Sequence, residues 1–250
     1  MLWRLPVTNL LPAEWTKLRT TAAFWWTSGL TVLIAAGYGA LFAWTARLGT
    51  IPYIPVTVIA TVALTSIIVM IVQQSMVVTT EYRFGIPATN FRIAPQRWKV
   101  AAAKAVLGAV LAAVVCAVAL AAALTLADLT APVSANWPTN PATQRAMWAV
   151  PLGMALVSLF VQGIGWIVRN TAGTVVIGMA LLLVLESIVG MIPNIGADLV
   201  KFMPFGNIIA FMTNQPTPYW DSVWHGFGVF AVWAVAVWGV GVALTAARDA

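Results

Sequence analysis

The sequence has little charge. Only 8% of its 250 residues are Asp, Glu, Lys or Arg, whereas 61% are hydrophobic. A soluble domain has roughly a quarter charged residues, so this composition excludes an ordinary soluble protein and predicts an integral membrane protein. Spanning helices would use nearly the whole chain, which leaves no room for a soluble catalytic domain.

Cysteine and histidine are almost missing. Cys116 and His225 are the single residues of their types, so the chain can form neither an internal disulfide nor a His/Cys metal cluster. The sequence also lacks G-x-x-x-x-G-K-[ST], which excludes ATP binding through a Walker loop. An intramembrane protease or lipid transferase needs convergent catalytic groups, and these are missing too. We therefore expect no metal site and no enzyme activity in this chain.

Acidic residues are scarcer than basic ones: seven Asp and Glu stand against 13 Lys and Arg, for a net charge of +6. A nucleic-acid-binding protein collects its cations on a solvated face. Here the cations flank apolar stretches, as they do in the cytoplasmic loops of membrane proteins. The basic balance therefore indicates a lipid bilayer as partner, and no nucleic acid.

What the chain does contain is six apolar stretches long enough to cross a bilayer as helices. They occupy residues 24–46, 56–78, 100–127, 147–168, 172–192 and 223–246. We therefore predict an all-α polytopic membrane protein with six transmembrane helices.

The segments between the spans differ in character. Residues 79–99 form a basic loop, and residues 128–145, rich in proline and asparagine, form an outer loop. Residues 193–222 hold two apolar pieces that are too short to span and are broken at Pro204. Short apolar pieces beside a membrane predict re-entrant or interfacial helices.

The distribution of cations predicts the orientation. Six spans place both termini on one side, and that side would carry ten Lys and Arg residues against three on the other. By the positive-inside rule, we expect both termini in the cytosol.

An amphipathic helix is predicted over about residues 10–22. Trp15 and Leu18 lie on one face at helical spacing, whereas Glu14 and Lys17 lie on another. Such a helix is suited to the headgroup plane of a bilayer. The alternative is an N-terminal extension of the first span.

Three polar residues lie inside predicted spans and are candidates for a translocation path. An acid such as Glu186 costs on the order of 2.5–3.5 kcal/mol at a helix centre, so it would face the bundle interior or a wet cavity. The alternative is a protonated or helix-bonded glutamate near the outer boundary. Gln73 and Gln74 either line a path or mark the membrane boundary.

Three short motifs stand out in this sequence. The first is Glu81-Tyr82-Arg83-x-Gly85 and Pro95-x-Arg97 in the basic loop, followed by Lys104 at the head of the third span. The second is Glu14-Trp15-x-Lys17-Leu18-Arg19 ahead of the first span, and the third is residues 201–211, with a central proline. Together they resemble the cytosolic loop, the amphipathic elbow helix and the re-entrant outer segment of one family, the permeases of the ABC type-2 transporters.

The resemblance implies roles for these residues. The loop at 79–99 would hold a cytosolic coupling helix between the second and third spans, seated in a separate ATPase subunit. The coupling residues would be Glu81, Tyr82, Arg83, Phe84, Gly85, Phe91, Pro95 and Arg97. The elbow residues would be Glu14, Trp15, Lys17, Leu18 and Arg19, and the re-entrant residues would be Pro204, Phe205 and Asn207.

The same resemblance implies an assembly and a place in the cell. Two permease chains, identical or paralogous, would pair with two ATPase subunits in the cytoplasmic membrane of a bacterium. ATP and Mg²⁺ would bind to the ATPase, so we expect no cofactor in this chain.

The function implied is ATP-driven export of an amphiphilic or hydrophobic compound, such as a drug or an antimicrobial peptide. An alternative cargo is a lipid or glycan intermediate of the cell envelope. An alternative of another class is an ion-coupled secondary transporter. That class is typically built from repeats with discontinuous helices, and the second half of this sequence does not resemble the first.

Overall fold

The computed structural model describes residues 7–49, 53–84 and 97–247, and within them every regular element is a helix. A short first helix, α1, covers Val7–Arg19. Six long helices are α2 (Ala22–Arg47), α3 (Pro55–Arg83), α4 (Arg97–Thr130), α5 (Pro141–Val168), α6 (Thr171–Gly190) and α9 (Val223–Ala247). Between the last two lie α7 (Gly196–Val200) and α8 (Pro204–Thr213).

Each of the six long helices is long and apolar enough to cross a membrane. At 1.5 Å per residue, even a 20-residue helix covers the ~30 Å hydrocarbon layer. For the described residues, the prediction of an all-helical fold with six helices long and apolar enough to span a membrane is confirmed, and these helices indicate a multi-pass membrane protein.

Several helices extend beyond the predicted spans into segments that the sequence placed in loops, whereas α6 ends at Gly190, two residues before the predicted end of the fifth span. Helix α3 continues to Arg83 and α4 begins at Arg97, so both ends of the predicted basic loop are helical. Helix α5 begins at Pro141 because the Asn140 side chain accepts a hydrogen bond from the Ala142 amide. An Asn cap followed by proline is a favoured start of a helix.

Helices α3 and α5 form the centre of the bundle, whereas α2, α6 and α9 lie at its periphery. Helix α8 packs between α9 and α5 and also touches α3. The interior is filled by large apolar side chains from α3, α4, α5 and α8, among them Ile67, Met70, Leu120, Phe160 and Phe205. The outer helices leave apolar side chains exposed, as a lipid environment requires.

Two close helix approaches depend on glycine. A Cβ on Gly39 of α2 would lie 2.1 Å from the carbonyl oxygen of Ala123 in α4. A Cβ on Gly163 of α5 would lie 2.6 Å from the backbone nitrogen of Trp238 in α9. Lipid provides no hydrophobic force between helices, so such backbone approaches supply packing energy instead.

Helix α1 is separate from α2 and is not its extension. It ends at Arg19, and Thr21 has an extended backbone (φ −91°, ψ 116°) before α2 begins. The Trp25 indole N–H donates a 2.8 Å hydrogen bond to the Arg19 carbonyl, which fixes this bend. Helix α1 then packs along α4.

Helix α6 is irregular in its second half. It is α-helical to Ala180, forms one π-helical turn over Leu181–Leu185, and is α-helical again from Glu186. A π turn contains one residue more than an α turn, and such turns are frequent at functional sites.

Candidate functional site

Four charged side chains meet where α1, α3 and α4 come together. The Lys104 ammonium lies 2.5 Å from Glu14 Oε2 and 3.0 Å from Glu81 Oε1. The Lys17 ammonium lies 2.7 Å from Glu14 Oε1 and 2.9 Å from Glu81 Oε1. Each acid therefore contacts both cations, and we call these four residues the charge cluster.

Most of the charge cluster is buried. The exposed fraction of the side chain is 3% for Lys104, 8% for Glu14 and 11% for Glu81, but 41% for Lys17. Burying a charge is costly unless it is paired and hydrogen-bonded. Two acids balance two cations here, and Lys104 also donates a 3.3 Å hydrogen bond to the Val77 carbonyl.

The acids change the titration of Lys17. Burial alone would lower its pKa, but the hydrogen bond and negative charge of Glu14, together with those of Glu81, outweigh burial. The pKa of Lys17 is therefore raised above its ordinary value. The ammonium stays charged throughout the physiological pH range.

The position of the cluster follows from the sequence of each helix. Glu14 and Lys17 are three residues apart, so they share one face of α1. Glu81 is in the last turn of α3, and Lys104 lies about two turns into α4. Since residues 85–96 connect α3 to α4 in sequence, the cluster joins α1 to both helices that flank this segment.

Lys104 is the residue of the cluster to which the sequence reasoning gave no role. It appeared in the motif, yet it was not among the predicted coupling residues. The sequence does contain a signal for this role, because Lys104 is a cation inside an otherwise apolar stretch. A buried ammonium requires a carboxylate partner, so such a lysine predicts an ion pair.

Of the predicted coupling residues beside Glu81, one is packed and two are exposed. The Tyr82 ring packs edge-on against Trp166, with 6.1 Å between centroids, and the Arg169 guanidinium lies 5.0 Å from its centroid. Arg83 and Phe84 are exposed at the end of α3, with the guanidinium 5.8 Å from the phenyl centroid. These two side chains form an accessible surface at the end of α3.

Arg97 begins α4 and donates a hydrogen bond to the carbonyl of Thr245 near the end of α9. A cation at the carboxyl end of a helix is favourable because it complements the helix dipole. The remaining predicted coupling residues, Gly85, Phe91 and Pro95, lie outside the described residues.

Of the predicted elbow residues, Glu14 and Lys17 belong to the charge cluster, and the other three lie elsewhere on α1. The Trp15 ring packs edge-on against Phe24 of α2, with centroids 6.3 Å apart. Leu18 borders a cavity beside the cluster, and Arg19 is exposed.

The predicted path candidates on α3 are buried and join helices. The Gln73 amide donates 2.9 Å hydrogen bonds to the hydroxyls of Thr27 and Ser28 on α2. Since the side chain is only 3% exposed, these bonds hold α2 against α3.

Gln74 forms its hydrogen bonds on the other side of α3, with α5. Its Oε1 accepts hydrogen bonds from the Ser158 hydroxyl at 3.0 Å and from the Gln162 amide at 2.9 Å, both on α5. The Gln162 amide also donates to the Lys104 carbonyl at 3.2 Å. This polar layer therefore connects α5 to the part of α4 that carries the charge cluster.

Glu186 binds the amino end of α8. Its Oε1 accepts a 2.5 Å hydrogen bond from the Phe205 amide, and its Oε2 accepts a 2.7 Å bond from the Gly206 amide. The first amides of a helix have no partner within the helix, and they attract negative charge. This geometry supports the helix-bonded alternative for Glu186, although the bonded helix is α8 and not its own.

The predicted re-entrant residues Pro204, Phe205 and Asn207 lie in the first turn of α8 and fix its amino end. Pro204 is at the first position of the helix, and the Phe205 ring packs edge-on against Phe160, 5.7 Å between centroids. The Asn207 amide donates to the carbonyls of Lys201 at 3.0 Å and Met203 at 2.6 Å. All three predicted residues are buried.

Arg145 holds the other end of α8, and sequence reasoning missed it. Its guanidinium donates a 2.9 Å hydrogen bond to the Phe211 carbonyl and lies 5.3 Å from the centroids of the Phe211 and Trp148 rings. Helix α8 therefore has an acid from α6 at its amino end and a cation from α5 near its carboxyl end. Both charges complement its dipole.

Among residues 7–49, 53–84 and 97–247, no group of three His, Cys, Asp or Glu side chains could hold a metal ion. No protein-family model matches the chain, and no curated protein matches it in sequence.

Proposed function

We propose that the chain is the membrane-spanning permease subunit of an ATP-driven exporter of the ABC type-2 kind. The observation that carries this proposal is the charge cluster, which joins α1 to both helices that bound residues 85–96. A separate ATPase subunit that binds here and moves α3 would move α4 and α1 with it.

The contacts support such a transmission in physical terms. Lys104 is bonded to Glu14 on α1 and to Glu81 on α3, so neither helix can shift along α4 without separating a buried ion pair. Breaking a buried pair is costly. Packed elements joined in this way move as rigid bodies, which is what coupling to ATP hydrolysis requires.

The exposed pair Arg83 and Phe84 supplies a surface on which the ATPase can dock. Cations also collect at this end of the bundle, which supports a cytosolic location for it and for both termini. The described cations at this end are Lys17, Arg19, Arg83, Arg97, Lys99, Lys104 and Arg169, and those at the other end are Arg47, Arg145 and Lys201. The membrane is the cytoplasmic membrane of a bacterium.

In this proposal α1 is the elbow helix, and α7 with α8 forms the re-entrant segment. Ten residues of α8 cover about 15 Å, half of the ~30 Å hydrocarbon layer. Helix α8 is nevertheless buried against α5 and α9. It therefore enters the bundle without crossing it, held by Glu186 and Arg145.

The cargo is an amphiphilic or hydrophobic compound, since the interior carries neutral glutamines and aromatic rings more than charges. A second permease chain covers part of the apolar surface that α6 exposes along most of its length. ATP and Mg²⁺ bind to the ATPase partner, and this chain performs transport without catalysis.

The experiment that tests this function is affinity purification from native membranes in mild detergent, followed by identification of the proteins that co-purify. We expect a stoichiometric ATPase with a Walker loop. The double variant Arg83→Ala/Phe84→Ala should lose most of that ATPase, whereas Arg47→Ala, at the opposite end of the bundle, should retain it.

Two results would overturn the proposal. One is a stable, monodisperse chain that purifies with no ATPase. The other is transport in proteoliposomes that follows an imposed proton or sodium gradient without ATP, which would indicate a secondary transporter.

A further inference from the structure

A cavity of about 160 Å³ lies beside the charge cluster, between α1 and the adjoining ends of α2 and α3. An engineered protein cavity of about 150 Å³ holds a benzene molecule, so this space can accept a small apolar group. Gln73, one of the path candidates, also lines the cavity, but the inference about its occupant does not rest on the proposed transport function.

The walls of the cavity are of two kinds. Leu18, Ala23, Phe24, Met76 and Val77 provide most of an apolar surface. The charge cluster closes one side of the cavity. A ligand that fits both must be amphiphilic, with an apolar portion and a charged group that remain close together.

Lys17 is the group of the cluster that a ligand can reach. Its side chain is 41% exposed, whereas the other three are nearly buried. An ammonium has three N–H donors, and two of them bond to Glu14 and Glu81. Within the part of the chain that the structure describes, the third has no partner, so an anionic oxygen can accept it.

The surroundings of the cavity indicate that the ligand comes from the bilayer. Trp25 and Trp26 begin α2 next to the cavity and are 57% and 79% exposed. Tryptophan is enriched at membrane–water interfaces, which places the cavity at headgroup depth. At that depth a phospholipid presents its phosphate and the upper part of its acyl chains.

We propose that this cavity binds one membrane phospholipid, whose phosphate accepts a hydrogen bond from Lys17 and whose acyl chain lies against Phe24 and Met76. The lipid would occupy the angle between α1 and the bundle. It would thereby link the interfacial helix to the surrounding leaflet through a site that is separate from the ATPase surface.

Native mass spectrometry tests the proposal. The chain, with any subunits that co-purify, is reconstituted in nanodiscs of phosphatidylethanolamine and phosphatidylglycerol and then released into detergent. We expect one retained phospholipid per permease chain. The adduct mass distinguishes a phospholipid from inorganic phosphate.

Two variants probe the site in different ways. Lys17→Gln removes the charged donor, and since a hydrogen bond to a charged group has an energy equivalent to roughly tenfold in affinity or more, the affinity for the lipid should fall about tenfold and fewer chains should retain it. Ala23→Leu fills the cavity without touching the cluster and should abolish retention. Lys201→Gln removes the same charge at the opposite end of the bundle and should retain the lipid.

Size-exclusion elution identical to that of the unmodified protein shows that a variant is folded. Retention of the lipid by folded Ala23→Leu protein would overturn the proposal, as would a wild-type chain that retains no phospholipid or only phosphate. Equal loss in the Lys201→Gln control would also contradict it, because retention would then depend on overall charge.

Discussion

The Lys104 ammonium lies 2.5 Å from the Glu14 carboxylate, although 90 residues separate the two in sequence. Glu81 contacts the same ammonium from a third helix. Since Lys104 is almost fully buried, its charge is balanced only as long as α1 and α3 keep their places against α4. The relationship leads to the first two predictions.

Lys104→Met should destabilise the protein strongly, because it removes the buried cation that pairs with both Glu14 and Glu81. Removing one partner of a buried pair costs about 3–5 kcal/mol, which corresponds to a decrease in Tm of roughly 6–20 °C for a chain of this size. Thermal unfolding in detergent, followed by tryptophan fluorescence, measures it. Lys99→Met, on the same helix but partly exposed, is the control and should change Tm little.

A double variant separates charge balance from packing. Glu14→Gln/Lys104→Met should be less destabilised than the sum of the two single variants, since it removes a cation and an acid together. Coupling between contacting residues is of order 0.5–3 kcal/mol. Strictly additive changes in stability would mean that Glu14 and Lys104 do not interact in the folded protein.

The raised pKa of Lys17 predicts a dependence on alkaline pH. A Lys whose folded pKa exceeds its unfolded value of 10.5 contributes stability that is complete below pH 10.5 and is lost as pH rises through the folded pKa. The difference in Tm between the wild type and Lys17→Met should therefore be constant from pH 7 to about 9.5, well below that unfolded value. It should shrink at higher pH, and a difference that grows instead would contradict the ion pairs.

Gly108→Ala should destabilise the bundle by about 1–3 kcal/mol through overpacking. A Cβ at this position of α4 would lie 2.1 Å from Gln162 Nε2 and 2.6 Å from Gln74 Oε1. The matched control is Gly37→Ala on α2, where nothing lies within 4 Å of the new Cβ. There the better helix propensity of alanine should stabilise by roughly 0.5–1 kcal/mol. Thermal unfolding of the two variants should give shifts of opposite sign.

Glu186→Ala should loosen the amino end of α8, because the Phe205 and Gly206 amides lose their acceptor. The loss of a cap costs about 0.5–2 kcal/mol. Hydrogen exchange followed by mass spectrometry should show faster exchange at residues 205–206 and no change in α3. Asp198→Ala, an exposed acid of the same region, is the control, and faster exchange in both variants would argue against a specific cap.

The six spanning helices could be predicted because their cause is local. A stretch of about 20 apolar residues in lipid must satisfy its backbone hydrogen bonds internally and therefore becomes a helix. The ends of the helices are harder to predict from sequence. The last turn of α3 and the first turn of α5 are polar, and whether polar residues continue a helix depends on caps such as Asn140.

The candidate site could be predicted only in part. Glu14, Lys17 and Glu81 were selected from short motifs, but their meeting at Lys104 depends on how α1 folds back across α4. Glu186 was recognised as unusual because it is an acid in an apolar helix. The partner of Glu186 is the amino end of α8, about 20 residues later in the sequence. It could not be inferred, because the two come together only when the chain turns back after α6. Arg145 was missed for the same reason.

The π-helical turn at Leu181–Leu185 sets the direction in which Glu186 points. Each residue advances an α-helix by about 100° around its axis, and a π turn adds one residue without adding a full turn. If the same residues formed a regular α-helix instead, everything after Leu185 would be rotated by about 100° around the axis, so that the carboxylate would face away from α8. The extra residue in the π turn therefore determines the direction in which the side chains of the second half of α6 point.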